Sequence, residues 1–202
     1  DANESAKELL EINGFTTNRK SVNMLIELQN APTQPVLPSD IRIITYQEFG
    51  NLHEVYRVLR EAFRDHRGHI DADFETLFLR FEHYVNNDTH LDFSLWFLAM
   101  DGDKLVGFSL CVPRAWDDSH KGWVDELCVL REYRGRGIAK ALLHHSFGEF
   151  YKRGFKKVGL NADGSNLTGA VQLYHTVGMR IFRTWHVYEK ELRAGKEYTK
   201  QD

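Results

Sequence analysis

The residues best suited to do chemistry lie between positions 126 and 143. Leu127-Cys128-Val129 is an apolar run with the character of a buried strand, and Arg134-Gly135-Arg136-Gly137-Ile138-Ala139-Lys140 follows it closely. From Ile138 onward, Ala141, Leu142 and His145 begin a helical period. A strand, a Gly-rich turn and a helix in that order leave the first N–H groups of the helix without partners. Glycine lets a ligand approach the backbone, and the helix dipole favours an anion there. Phosphate is the anion this pattern suits, and Arg134 and Arg136 add positive charge at the same place.

Bulk properties narrow the setting of that turn. The chain has 202 residues, 42% of them apolar and 27% charged, which suits one globular domain with something appended. A formal net charge of -3 gives no bulk attraction to nucleic acid or an anionic membrane, so the Arg cluster is local. No apolar run is long enough for a membrane span and no export signal is visible, so a cytoplasmic chain is expected. Asp1 is not a natural start, and a segment lost before it is an open expectation. Cys111 and Cys128 both sit in apolar runs and read as small buried hydrophobes rather than a disulfide. The pairs His66/His69 and His144/His145 lack metal-ligand spacing, so no metal is expected.

The elements that must position the turn follow from hydrophobic period. Strands are expected at 41–46, 94–100, 105–112, 122–129 and 155–162, and a final strand pair over 179–192. Helices are expected at 51–65, 71–83, 137–153 and 168–177, the last closed by Gly178. Asp101-Gly102 is a hairpin signal. At the N-terminus, Ala6, Leu9, Leu10 and Ile12 make a short helix ended by Gly14, followed by period-two alternation through Val22, Met24, Ile26 and Leu28. Residues 32–39, rich in proline, read as a linker.

The chain also repeats itself. Ala6 lies on Ala170, Leu9 on Leu173, Gly14 on Gly178, Arg19 on Arg183 and Leu28 on Leu192, without a gap. The expected division is therefore a helix-and-strand remnant of a preceding copy at 1–31, a linker at 32–39, a complete domain at 40–192 and a polar tail at 193–202. Residues 1–31 are expected either to pack on that domain or to pair with another chain through open strand edges, giving a homodimer.

Over residues 40–192 the chain resembles the GNAT superfamily of acetyl-CoA-dependent N-acetyltransferases. Arg134-Gly135-Arg136-Gly137-Ile138-Ala139 matches the family's Arg/Gln-x-x-Gly-x-Gly/Ala signature after its fourth strand. The stretch Asn166 to Met179 is similar to a second motif, Asn…Ala-x-x-Leu-Tyr-x-x-x-Gly-Phe, with the Asn one residue early and Met179 in place of Phe. The form Asn-x-Thr-Gly-Ala resembles tandem-domain members such as mycothiol synthase and its relatives. The implied fold is α/β (α+β), a mixed, largely antiparallel sheet with splayed fourth and fifth strands, flanked by helices.

The resemblance also implies roles. Acetyl-CoA would be the co-substrate, its pyrophosphate on the turn 134–140 and its pantetheine along Leu127, Cys128 and Val129. Asn166 would contact the cofactor or fix the turn before its helix. Glu126, on the fourth strand, would be the base that deprotonates a primary amine; Asp125, expected on the opposite face, is the fallback, and His120 is less suited. Tyr174 would donate a proton to the leaving thiolate. Transfer by direct attack is expected, since a buried Cys128 is a poor nucleophile. The acceptor, expected to be a small molecule, would meet residues 64–75, the loop 114–121 and the final strands, which carry His66, His69, Asp71, Asp73, Trp116, Asp117 and Asp118. A non-catalytic acyl-CoA-binding module and an enzyme acting on a protein are the alternatives.

Overall fold

A computed structural model describes residues 3–66, 69–70, 72–164 and 169–195. In chain order the elements are α1 (Glu4–Ile12), β1 (Thr16–Glu27), β2 (Ile41–Thr45), α2 (Tyr46–Phe49), α3 (Leu52–Ala62), α4 (Phe74–Asn87), β3 (Trp96–Asp101), β4 (Lys104–Val112), β5 (Lys121–Val129), α5 (Ile138–Lys152), β6 (Lys157–Asp163), α6 (Ala170–Thr176) and β7 (Arg180–Glu189). The fold is mixed α/β, largely antiparallel, with flanking helices, as the sequence led one to expect. The helix expected at 71–83 instead spans Phe74–Asn87. Asp73 caps it by accepting the Thr76 N–H at 2.8 Å, and the helix continues unbroken to Asp88. The strand pair expected over 179–192 is one strand, β7.

The chain divides into two units. The larger covers residues 28–158. In it β2, β3, β4 and β5 form an antiparallel meander. One face is covered by α3 and α4: Val55, Val58 and Val85 pack on Trp96, Leu98, Phe108 and Leu110. Burial of these apolar side chains, each contributing about 1.5–3 kcal/mol, fixes which way β5 faces. On the other face α5 buries Ala141, Leu142 and Phe147. There the Ser146 hydroxyl bonds the Ser109 hydroxyl and the Leu142 carbonyl, both at 2.9 Å, so the core hydroxyls are satisfied. Gly107 has no room for a side chain, because a Cβ would lie 2.6 Å from the Cys128 carbonyl oxygen.

The smaller unit consists, among described residues, of 3–27 and 159–195. Its strands lie in the order β6, β1, β7. Gly164 donates to the Lys20 carbonyl at 2.9 Å, and the Ser21 hydroxyl bonds Asn161. β1 and β7 pair antiparallel through Arg19↔Val187, Ser21↔Trp185 and Asn23↔Arg183. The repeat now has a geometric form. Ser21 and Trp185 are equivalent under the sequence shift and are paired with each other, and Arg19↔Val187 maps onto Asn23↔Arg183. The two helix-Gly-strand pieces are thus related by a local two-fold axis through the Ser21–Trp185 pair. Their helix ends agree: Phe15 N–H bonds Leu10 C=O and Met179 N–H bonds Tyr174 C=O, both at 3.0 Å. Gly14 and Gly178 have φ of 77° and 89°, the left-handed conformation such a helix end requires.

Candidate functional site

β5 carries an acidic pair, and its register decides where the pair points. Against β4 it runs Val129↔Gly107, Cys128↔Phe108, Leu127↔Ser109 and Glu126↔Leu110, then jumps to Val124↔Cys111. Asp125 is the unpaired residue of a β-bulge. Alternation would put Asp125 on the face opposite Glu126. The bulge overturns that expectation: both residues line one cavity of about 270 Å³. The rest of the wall is Leu59 of α3, Phe81 and Tyr84 one helical turn apart on α4, Leu91, Trp96 of β3, and Leu110 and Val112 of β4. Glu126 and Cys128 share the α3 side of β5, as alternation below the bulge requires.

The cavity sets the proton affinity of its acids. Burial, with Asp125 beside it, pushes the Glu126 carboxyl up to about 7, and among the described residues no hydrogen bond to its charged form opposes the rise. Asp125 is raised by its surroundings and then by Asp88. Burial drives the Cys128 thiol well above its ordinary range, with Glu126 adding to the effect, and takes Cys111 to about 11. Both cysteines are therefore protonated near neutral pH and poor nucleophiles.

At the C-terminal end of β5 the chain enters a short 3-10 turn at Arg131–Tyr133 and then the glycines. Gly135 and Gly137 take φ of 74° and 82°, and α5 begins at Ile138 with Gly137 as its cap. A Cβ at either glycine would meet nothing within 4 Å, so the loop faces open space. Among the described residues no side chain caps α5. Its first N–H groups, on Ile138, Ala139 and Lys140, have no intrahelical acceptor and suit an anion.

The arginines of the turn are committed elsewhere. Arg134 donates from Nε to the Val129 carbonyl at 3.1 Å and from Nη2 to the Ala62 carbonyl at 2.8 Å. It ties the C-terminal end of α3, with its unsatisfied carbonyls, to β5. Arg136 bonds both oxygens of Asp40 at 2.7 and 2.6 Å and lies over the Tyr133 ring.

The remaining expected residues distribute as follows. Leu127, Cys128 and Val129 are all on β5, the last two buried. Tyr174 is buried on α6 in the smaller unit. Asn166 and Asp71 lie outside the described residues. His120 is exposed on its loop beside Ser119. The acidic groups expected to meet the acceptor have structural partners instead: Asp73 caps α4, Asp117 pairs at 2.6 Å with the buried Lys121, and Asp118 accepts the His120 N–H. Residues of α3 and α4 line the cavity beside the β5 acids. The apolar stripes of those helices were visible in sequence, but nothing local marked Phe81 and Tyr84 as lining rather than core.

The family model for the acetyltransferase (GNAT) family matches residues 52–179, more than half of the chain and all of the cavity and the turn. The chain belongs to the GNAT family. Among curated relatives it is 36% identical over 95 residues to "N-alpha-acetyltransferase MAK3" of Arabidopsis thaliana, a match covering 46% of this chain and 50% of that protein. It is 30% identical over 178 residues to "Mycothiol acetyltransferase" of Thermobispora bispora, covering 86% of this chain and 57% of that one. Among solved structures, a GCN5-related N-acetyltransferase from Sphaerobacter thermophilus superposes with a TM-score of 0.77 at 32% identity, over 96% of this chain and 58% of that chain. A tandem GNAT protein from the clavulanic acid biosynthesis pathway, at 11% identity and a TM-score of 0.70, shares the fold. The chain thus spans between half and three fifths of the length of these relatives. Among the described residues no helix is long and apolar enough to cross a membrane, and no group of side chains could hold a metal ion.

Proposed function

We propose that this GNAT chain transfers an acetyl group from acetyl-CoA to the primary amine of a small molecule by direct attack. The observation that carries the reading is Glu126: a carboxylate without a hydrogen-bond partner among the described residues, raised to about 7, in a cavity on the strand that leads into the Gly-rich turn. A general base works best with a pKa near the working pH. In the proposed reaction Glu126 takes a proton from the acceptor ammonium. The freed nitrogen attacks the acetyl carbonyl and the C–S bond breaks; the thiolate takes a proton from Tyr174, and the phenolate is restored by the second proton that the acetylated nitrogen sheds, while Glu126 returns its proton to solvent. The products are an N-acetylamine and CoA thiol. The α5 N–H groups would hold the pyrophosphate and the β5 backbone at 127–129 the pantetheine, with Asn166 as a further cofactor contact. The test is thiol release from acetyl-CoA with a panel of amines. Amine-dependent release that is lost in Glu126→Gln supports the proposal; tight acetyl-CoA binding with no release for any amine would favour a non-catalytic acyl-CoA module.

A second reading has its own support. The similarity to an N-alpha-acetyltransferase, at 36% identity, favours the α-amine of a polypeptide as acceptor. For the chain as a whole we also propose that residues 1–31 end a preceding copy of the domain. The sequence repeat and the local two-fold axis through Ser21 and Trp185 support this.

A further inference from the structure

We propose that the acceptor is a primary amine carried on a compact apolar body of aromatic size, its ammonium held by Asp125 next to Glu126. The inference rests on the acetyl-transfer reading and adds the chemistry of the acceptor to it. Three observations carry it. First, among the described residues no Lys, Arg or His lines the cavity, and its polar side-chain groups are Asp125, Glu126, the Tyr84 hydroxyl and the Trp96 indole N–H. The hydroxyl of Tyr84 is drawn to Asp88, which leaves its ring as wall. A polyhydroxylated amine would shed water from each hydroxyl and find few replacement partners. A diamine would need a second anion in a wall made of Leu59, Phe81 and Trp96.

Second, the cavity is small. Its roughly 270 Å³ falls just below the 300–1,000 Å³ typical of sites for drug-sized ligands. One ring with a short amine arm suits that volume. Third, the bulge supplies two carboxylates where a regular strand would supply one. Asp125 lies at the exposed mouth and Glu126 deeper, so one can hold the cation while the other accepts its proton. Asp88 beside Asp125 adds to the negative potential that draws a cation in.

The experiment measures CoA release by the full chain with 2-phenylethylamine, glucosamine and putrescine. A peptide with an N-terminal Phe distinguishes a free amine from a polypeptide carrying the same chemistry. kcat/KM for 2-phenylethylamine is expected to exceed that for glucosamine and putrescine by about tenfold or more, the scale of discrimination in apolar pockets. Two variants at exposed positions test the residues. Tyr84→Ser should lower kcat/KM for 2-phenylethylamine about tenfold and leave glucosamine nearly unchanged. Asp125→Asn should raise KM for every amine without changing acetyl-CoA affinity. Preference for glucosamine or putrescine, or an equal effect of Tyr84→Ser on all amines, overturns the proposal. If no amine is acetylated, 2-phenylethylamine is titrated by calorimetry into the CoA-saturated protein. Binding that Asp125→Asn abolishes upholds the pocket while the transfer reading falls; absence of binding overturns the pocket itself.

Discussion

Replacing Glu126 by Gln should make the protein more stable and less active, and the stability gain should appear only at higher pH. A carboxyl raised from its ordinary 4.5 to about 7 keeps its proton in the folded state over a range where the unfolded chain has lost it. Stability contributed at this position therefore falls as pH climbs from 4.5 to 7 and is level above that. Once both states are ionised the cost to the folded protein is about 3 kcal/mol, at about 1.4 kcal/mol per pKa unit. Water at the cavity mouth screens part of this, so a gain of about 1–2 kcal/mol for Glu126→Gln at pH 8 is the expected figure. Below pH 4.5 the variant and the parent should be nearly equal. Urea denaturation of both proteins at pH 4.5 and pH 8 reads the difference directly. In the parent, turnover should rise with pH through about 7 and then level off as the base form fills; the variant should lose that step together with most of its rate. A variant less stable at pH 8, or a gain of equal size at both pH values, would refute the buried, unpartnered carboxyl. A variant with unchanged turnover would remove Glu126 as the base.

Other expectations follow from the same geometry. Arg134→Ala leaves the Ala62 and Val129 carbonyls without their charged donor and should lower stability by about 1.5–3 kcal/mol, read as a fall in Tm. Gly137→Ala forces a side chain into the left-handed region at the cap of α5; the strain is about 1–2 kcal/mol, and calorimetry should show weaker acetyl-CoA binding. Tyr174→Phe should depress turnover far more than acetyl-CoA affinity; equal turnover would exclude the phenol from the proposed mechanism. Met24→Asp buries an unpaired charge in β1 and should abolish soluble expression or cause aggregation on size-exclusion chromatography, because it breaks the strand that pairs with β7.

Much of the site was legible before the fold. The strand, turn and helix at 127–143 are local features: glycine at 135 and 137 permits positive φ, and a helical period starts at once after them. Chain neighbours within a few residues dictate all of that. Glu126 and Tyr174 could be named as base and acid candidates through the family resemblance of the motifs around them. The repeat of helix, glycine and strand was readable too, since it compares the sequence with itself.

What the sequence left open depends on partners far away along the chain. Whether Asp125 points with Glu126 or away from it depends on one unpaired residue in the β4–β5 ladder, and a one-residue slip reverses a side chain's face. Arg134 and Arg136 read as positive charge at the turn, and only the fold shows that Ala62 and Asp40, far upstream, accept hydrogen bonds from their guanidinium groups. The apolar stripes of α3 and α4 could equally have been core, and only their packing over β4 and β5 leaves Leu59, Phe81 and Tyr84 around a cavity. The N-terminal strand found its partner at the other end of the chain, where Ser21 meets Trp185. The sequence by itself determined the strand, Gly-rich turn and helix, and it named the candidate reactive groups. Tertiary structure decided which of those groups share a cavity, because long-range pairing and register, unlike backbone conformation, leave no local trace.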